Sequence, residues 1–269
     1  MNRSLTLFAA ALAAPSLAAP SAHALEPFKT YDNFGTATID PALWNDGERA
    51  RAIKRGALNL MQRSSGAATA DTGATFISFD EHVSNPAAVT ELKAKITVNA
   101  LEVNACVANT ALGQSRARIV GSFYNIGVPV PGSEVGDSLA QVRLTRFSNS
   151  TEAPGVLRVQ GLLAKCTKVD CTSSNLVGNI VDLGTINVGQ SATVELQWDK
   201  PGKAFLFSRD AGAFSGSVGY IDSDAQPPGQ PFKSLSTRMD LPSCLTGPRV
   251  TGLVDANFDN VSVNRSAAP

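Results

Sequence analysis

The sequence predicts an all-β protein built from packed antiparallel sheets, and three observations carry that prediction. Apolar and polar residues alternate with period two from residue 56 onward, which turns one face of an extended chain toward a core and the other toward water. Helical periodicity is almost absent. Gly, Pro, Asn and Asp gather between the alternating runs, where they supply the backbone angles of tight connections.

In chain order, the first runs are GALNLM at 56–61 and ATFISF at 74–79, followed by FDEHVSNP, which predicts a loop carrying His82. VTELKAKITV at 89–98 is the clearest strand. Thr90, Leu92, Ala94, Ile96 and Val98 share one face, and Glu91, Lys93, Lys95 and Thr97 share the other, so one side is buried and one is wet. RARIVGSFYNIG, LAQVRLTRF, GVLRVQGLLAKC and NIVDLGTINV continue the pattern, with VPVPGSEVGD as a Pro- and Gly-rich turn. Residues 192–214 read as a β-meander: Val194, Leu196 and Trp198 point one way, Asp199 to Gly202 turns the chain, Phe205 and Phe207 begin the return, and Arg209 to Gly212 turns it again. After SDAQPPGQP, the runs FKSLSTRMDL and TGLVDANFDNVSV close the chain.

The first 24 residues read as an export signal: Arg3 gives a positive start, Leu5 to Ala19 is an apolar run, and Ala22-His23-Ala24 is a small-x-small cleavage site. The mature chain is then expected to begin at Leu25 and to form one β-sandwich domain over 25–269, secreted or periplasmic. No later stretch approaches the roughly 20 apolar residues of a membrane span. The whole chain carries 23 basic and 23 acidic residues, and loss of Arg3 takes the balance to −1. With no basic run, nucleic acid is not an expected partner.

The four cysteines, Cys106, Cys166, Cys171 and Cys244, all follow the signal, and an even number in an exported chain favours disulfides. Three connectivities are open. The short interval in CTKVDC favours Cys166 with Cys171, leaving Cys106 for Cys244. By chain entropy the long bridge contributes about 4 to 5 kcal/mol at most. The spacings and the single mature histidine argue against zinc.

The opening YDNFGTATIDPALWNDGERARAIKRGALNLMQRS, the meander WDKPGKAFLFSRDAG and the terminal ANFDNVSVN resemble segments of concanavalin-A-like (laminin-G-like) jelly-roll domains of secreted bacterial proteins. The resemblance implies two large antiparallel sheets, one with a concave groove, and first and last strands that are neighbours. It also implies a candidate calcium site where those strands meet, with Asp259 from the last and Asp32 from the first as ligands. In the glucanase branch of such folds one strand carries two glutamates with an aspartate between them, because retaining hydrolysis needs two carboxyl groups about 5 to 5.5 Å apart. No Glu-x-Asp-x-x-Glu occurs in this chain, so catalysis is not the expected role.

Alternation pairs Arg116 with Arg118, Gln141 with Arg143, and Arg158 with Gln160 on shared strand faces. Together with Tyr124 they are the candidate ligand-binding residues, and an arginine-lined groove favours an acidic glycan or another anion. Trp44 and Trp198 are expected in the core. The expectation is therefore an exported, non-catalytic sandwich that binds an extracellular glycan or a cell-envelope component. A diverged hydrolase or lyase and a structural or adhesion protein are the alternatives.

Overall fold

The alternating runs close into two sheets. The computed structural model describes Thr30, Leu43 and residues 47–268, and within them the chain forms thirteen strands and two single 3-10 turns. The first six strands are β1 (Glu48–Lys54), β2 (Ala57–Ser65), β3 (Ala74–His82), β4 (Glu91–Val103), β5 (Gln114–Asn125) and β6 (Asp137–Phe147). They are followed by β7 (Val156–Cys166), β8 (Ser174–Asn187), β9 (Ser191–Asp199) and β10 (Ala204–Arg209). The last three are β11 (Phe214–Gly219), β12 (Lys233–Pro242) and β13 (Thr251–Val263). Signal residues 1–24, Asp32 and Trp44 lie outside the described residues.

One sheet has seven strands in the order β1-β2-β13-β4-β9-β10-β11, and the other six in the order β3-β12-β5-β6-β7-β8. Neighbours are antiparallel throughout. Only β9-β10-β11, β5-β6-β7-β8 and the β1-β2 hairpin keep sequential neighbours; every other junction crosses between sheets. The result is a two-sheet antiparallel jelly-roll sandwich, with the closing strand β13 set between β2 and β4.

Two local expectations change. ERARAIK forms β1 with only Ala50 and Ala52 as small apolar residues on one face, and among the described residues it lies at a sheet edge paired with β2; such a strand can hold its place by ladder hydrogen bonds. His82 ends β3 rather than sitting in a loop, paired with Ser234 of β12.

The core lies between the sheets. Leu60, Ile96, Leu196, Phe205, Phe207 and Phe258 come from the seven-stranded sheet, and Ile119, Leu144, Val159, Leu163, Leu183 and Met239 from the other; all are essentially inaccessible. Each such side chain contributes about 1.5 to 3 kcal/mol relative to exposure. Close approach depends on Gly161 of β7, where a Cβ would fall 2.3 Å from the Phe207 ring. Both expected disulfides are present. Cys106–Cys244 ties the β4–β5 connection to the segment after β12, with Cα atoms 5.6 Å apart. Cys166–Cys171 closes the loop between β7 and β8, with Cα atoms 4.8 Å apart.

Candidate functional site

The outward face of the six-stranded sheet is unusually enclosed. In β5 and β6 the alternation puts Ala117, Ile119, Val142 and Leu144 inward and Arg116, Arg118, Gln141 and Arg143 outward. An outward face normally meets water. Here Arg116 and Arg118 are each 5% exposed and Arg143 8%. The reason is a cleft of 490 Å³ on this face, walled by the disulfide-closed loop at Cys171 to Ser174 on one side and by Phe76 of β3 on the other.

Register sets the charges of this cleft. Arg238 of β12 stands directly across from Arg116, and Arg118 directly across from Arg143. Like charges at opposed positions of an antiparallel pair are destabilising. The first pair is compensated. Arg116 Nη1 lies 2.7 Å from Asp240 Oδ2 and Arg238 Nε 3.0 Å from Asp240 Oδ1, while Arg116 also donates to Gln114.

The second pair has no hydrogen-bonded carboxylate among the described residues, although Asp240 acts on both and Asp80 on Arg118 at longer range. Arg118 donates from Nε to Ser236 Oγ at 3.1 Å and from Nη1 to Gln141 Oε1 at 3.2 Å. Arg143 donates from Nε and Nη2 to Gln160 Oε1 at 3.1 and 2.9 Å. That leaves Arg118 Nη2 and Arg143 Nη1 without a hydrogen-bond partner among the described residues.

Burial accounts for the protonation behaviour. Loss of hydration, reinforced by Arg238 and opposed by Asp80 and Asp240, brings Arg118 down to about 10, and loss of hydration, opposed by Asp240, brings Arg143 to about 10. Arg116 falls well below its ordinary value for the same reason, opposed by Asp240. All three stay cationic at neutral pH. Burial pushes Asp240 up, but Arg116 and Arg238 outweigh it and hold the carboxyl below the usual carboxylate range. Asp240 is therefore a counter-ion, not a proton donor.

The expected site residues divide cleanly. Arg116, Arg118, Gln141 and Arg143 meet in the cleft. Arg158 lies at the end of β7 outside it, paired with Glu152. Tyr124 is a correction: it is fully buried, stacked on Trp198 at 5.8 Å and tilted against Tyr220 at 4.9 Å. A bulge between Ser122 and Tyr124 breaks the alternation and sends both Phe123 and Tyr124 into the core. Arg238 and Asp240 were not among the expected residues, although FKSLSTRMDL alternates so that Ser236, Arg238 and Asp240 share a face.

Asp259 stands across from Lys95 in β13 and accepts the Asn260 backbone N–H at 2.8 Å. The hollow it lines also contains Lys54, Arg55 and Lys95. Its other carboxylate, Asp255, already accepts from the Asn59 and Asn99 amides at 2.6 and 3.0 Å. Lys54, Arg55 and Lys95 thus stand around these two carboxylates, and Asp32, the other expected calcium ligand, lies outside the described residues. The described clusters close enough to hold a metal, Asp71 with Cys106 and Cys244 and Glu134 with Cys166 and Cys171, are built on disulfide sulfurs rather than thiolates. No helix among the described residues is long and apolar enough to cross a membrane.

No protein-family model matches the chain, and no curated protein does. Among solved structures it is similar to the legume lectin-like domain from Entamoeba histolytica, at 10% identity and a TM-score of 0.32, over 87% of this chain and 98% of that one. It is similar to the potassium-bound Emp46p carbohydrate recognition domain at 7% identity and a TM-score of 0.36, over 80% and 88%. A third, the GlcNAcα1-4Gal-releasing endo-β-galactosidase from Clostridium perfringens, is 7% identical with a TM-score of 0.37, over 78% of this chain and 54% of that one. The jelly roll rests on the chain's own strand order.

Proposed function

We propose that the protein is an exported, non-catalytic β-sandwich module that binds an acidic glycan, free or in a cell envelope, in the arginine-lined cleft of its six-stranded sheet. The observation that carries this reading is the opposed pair Arg118 and Arg143, buried at 5% and 8% exposure and hydrogen-bonded, among the described residues, to amide and hydroxyl oxygens and to no carboxylate, with the Phe147 ring 5.6 Å from the Arg143 guanidinium. Buried charges are ordinarily paired. A uronate or sulfate group seated between these guanidiniums would supply a direct counter-charge and accept charge-assisted hydrogen bonds from Arg118 Nη2 and Arg143 Nη1. Gln114, Gln141 and the hydroxyls of Thr172 and Ser174 line the same cleft and suit sugar hydroxyls, while Leu139, Leu162 and Ile180 give it an apolar side.

A hydrolase built on this cleft would need two carboxyl groups. Asp240 is the one carboxylate among the cleft's described lining residues, and it is held ionised by two arginines. Export rests on the signal-like residues 1–24 and agrees with two disulfides, which persist in oxidising compartments. The test is a glycan array probed with oxidised, folded protein in low and high salt. Uronate-bearing or sulfated glycans are expected to bind, more weakly as salt rises. Binding confined to neutral glycans would refute the reading.

A further inference from the structure

A second cavity, of 260 Å³, is lined by Phe123, Trp198, Lys200, Asp224, Lys233 and a group of prolines. Lys233 opens β12 on its inward side, in alternation with the core residues Leu235 and Met239. Across from it in β5 is Gly121, where a Cβ would fall 2.1 Å from Lys233 Cδ. The lysine stem thus crosses bare backbone, which only glycine provides.

The amine ends 4.1 Å from the centroid of the Phe123 ring, and the residue is 3% exposed. Nζ donates to the Ser122 carbonyl at 2.5 Å and to the Pro86 carbonyl at 3.2 Å. Lys200 and Asp224 share the cavity, but each faces another group: Lys200 lies over Trp198 at 5.2 Å, and Asp224 accepts from the Tyr220 hydroxyl at 2.7 Å. On β3, His82 sets its ring edge-on to Phe232, 6.1 Å away. Loss of hydration alone brings Lys233 down to about 7.

We infer that Lys233 is a reactive amine that captures small apolar aldehydes as an imine in this cavity. Both N–H groups of the neutral amine are taken by carbonyl oxygens, so its lone pair is in neither hydrogen bond, and the nitrogen lies beside the Phe123 ring in the lining of the cavity. Apolar ring and proline walls favour an apolar partner, and a desolvated lysine in such a setting acts as a nucleophile. The nitrogen lone pair bonds to the carbonyl carbon, and the carbonyl oxygen takes up a proton to give a carbinolamine. Its hydroxyl then leaves with a further nitrogen-derived proton as water, and a carbon–nitrogen double bond remains. Exposed lysines stay protonated and strongly hydrated at the same pH.

The experiment treats the folded, oxidised protein with butanal and cyanoborohydride, which delivers hydride to the imine carbon and fixes the adduct as a secondary amine. Proteolysis and mass spectrometry then give the rate at each lysine. Lys233 is expected to be modified about tenfold or more faster than the exposed Lys54, Lys168 and Lys200 at neutral pH. Its rate should rise with pH through a midpoint near 7, and Lys233→Arg should lose the fast phase. Labelling that follows exposure and leaves Lys233 bare overturns the inference, and the unsubstituted protein alone decides that point. So does a fast phase that survives in Lys233→Arg.

Discussion

Two buried guanidiniums opposed across neighbouring strands are a liability to the free protein. Arg118 and Arg143 hold that position, so replacing one relieves repulsion and desolvation instead of breaking an ion pair. Arg118→Met is expected to raise stability by about 1 kcal/mol, or Tm by about 2 to 4 °C, and a calorimetric scan that shows a clear fall would contradict this. Glu134 carries a pH-dependent counterpart. Burial, with Asp137 adding to it, raises its carboxyl to about 7. From the ordinary carboxylate range up to about 7 the native state holds a proton that the unfolded chain has released, so stability falls as pH rises through that window. Glu134→Gln should therefore raise Tm at pH values above about 7 and leave it unchanged in acid. Equal shifts at both would remove the assignment. Alternation in the sequence places Arg116 with Arg118 and Gln141 with Arg143 on shared faces. It is silent on which strand lies beside which, so it could not show that Arg238 opposes Arg116 or that Asp240 answers both.

At the scale of elements, the strands were legible wherever one face is apolar, as in β4, where Leu92, Ala94, Ile96 and Val98 are all buried. Two kinds of element were not. β1 offers only Ala50 and Ala52 on one face and lies at an edge among the described residues, and β5 hides its bulge, which turns Tyr124 from a candidate ligand contact into core. The β7–β8 connection joins fold to site: Cys166–Cys171 closes it, and Cys171 to Ser174 wall the cleft. By the chain-entropy relation so short a bridge stabilises the fold by about 2 kcal/mol, while its hold on the wall preorganises binding. Replacing both cysteines with serine should lower stability by about 2 kcal/mol in denaturant titration and weaken acidic-glycan affinity about tenfold, or about 1.4 kcal/mol. Unchanged affinity would show that the loop plays no part in the cleft.

Over the whole molecule, charge is nearly balanced, with 23 basic and 23 acidic residues in the full chain, yet four arginines and one aspartate line a single cleft. The positive character is local and enclosed, which points to a small anionic group and not to an extended polyanion lying on a basic surface. Both sheets cooperate in this: the seven-stranded sheet supplies the core residues against which β5, β6 and β12 pack, and the six-stranded sheet presents the arginines outward in fixed register. The most direct measurement is a calorimetric titration of the oxidised protein with a uronate oligosaccharide and its neutral, carboxyl-reduced counterpart, repeated with the double variant Arg118→Met, Arg143→Met. Binding of the acidic form alone, weakened by salt and absent in a double variant that still unfolds cooperatively, is the expected result. Equal binding of both sugars, or undiminished binding by the folded double variant, would contradict an anion-binding cleft.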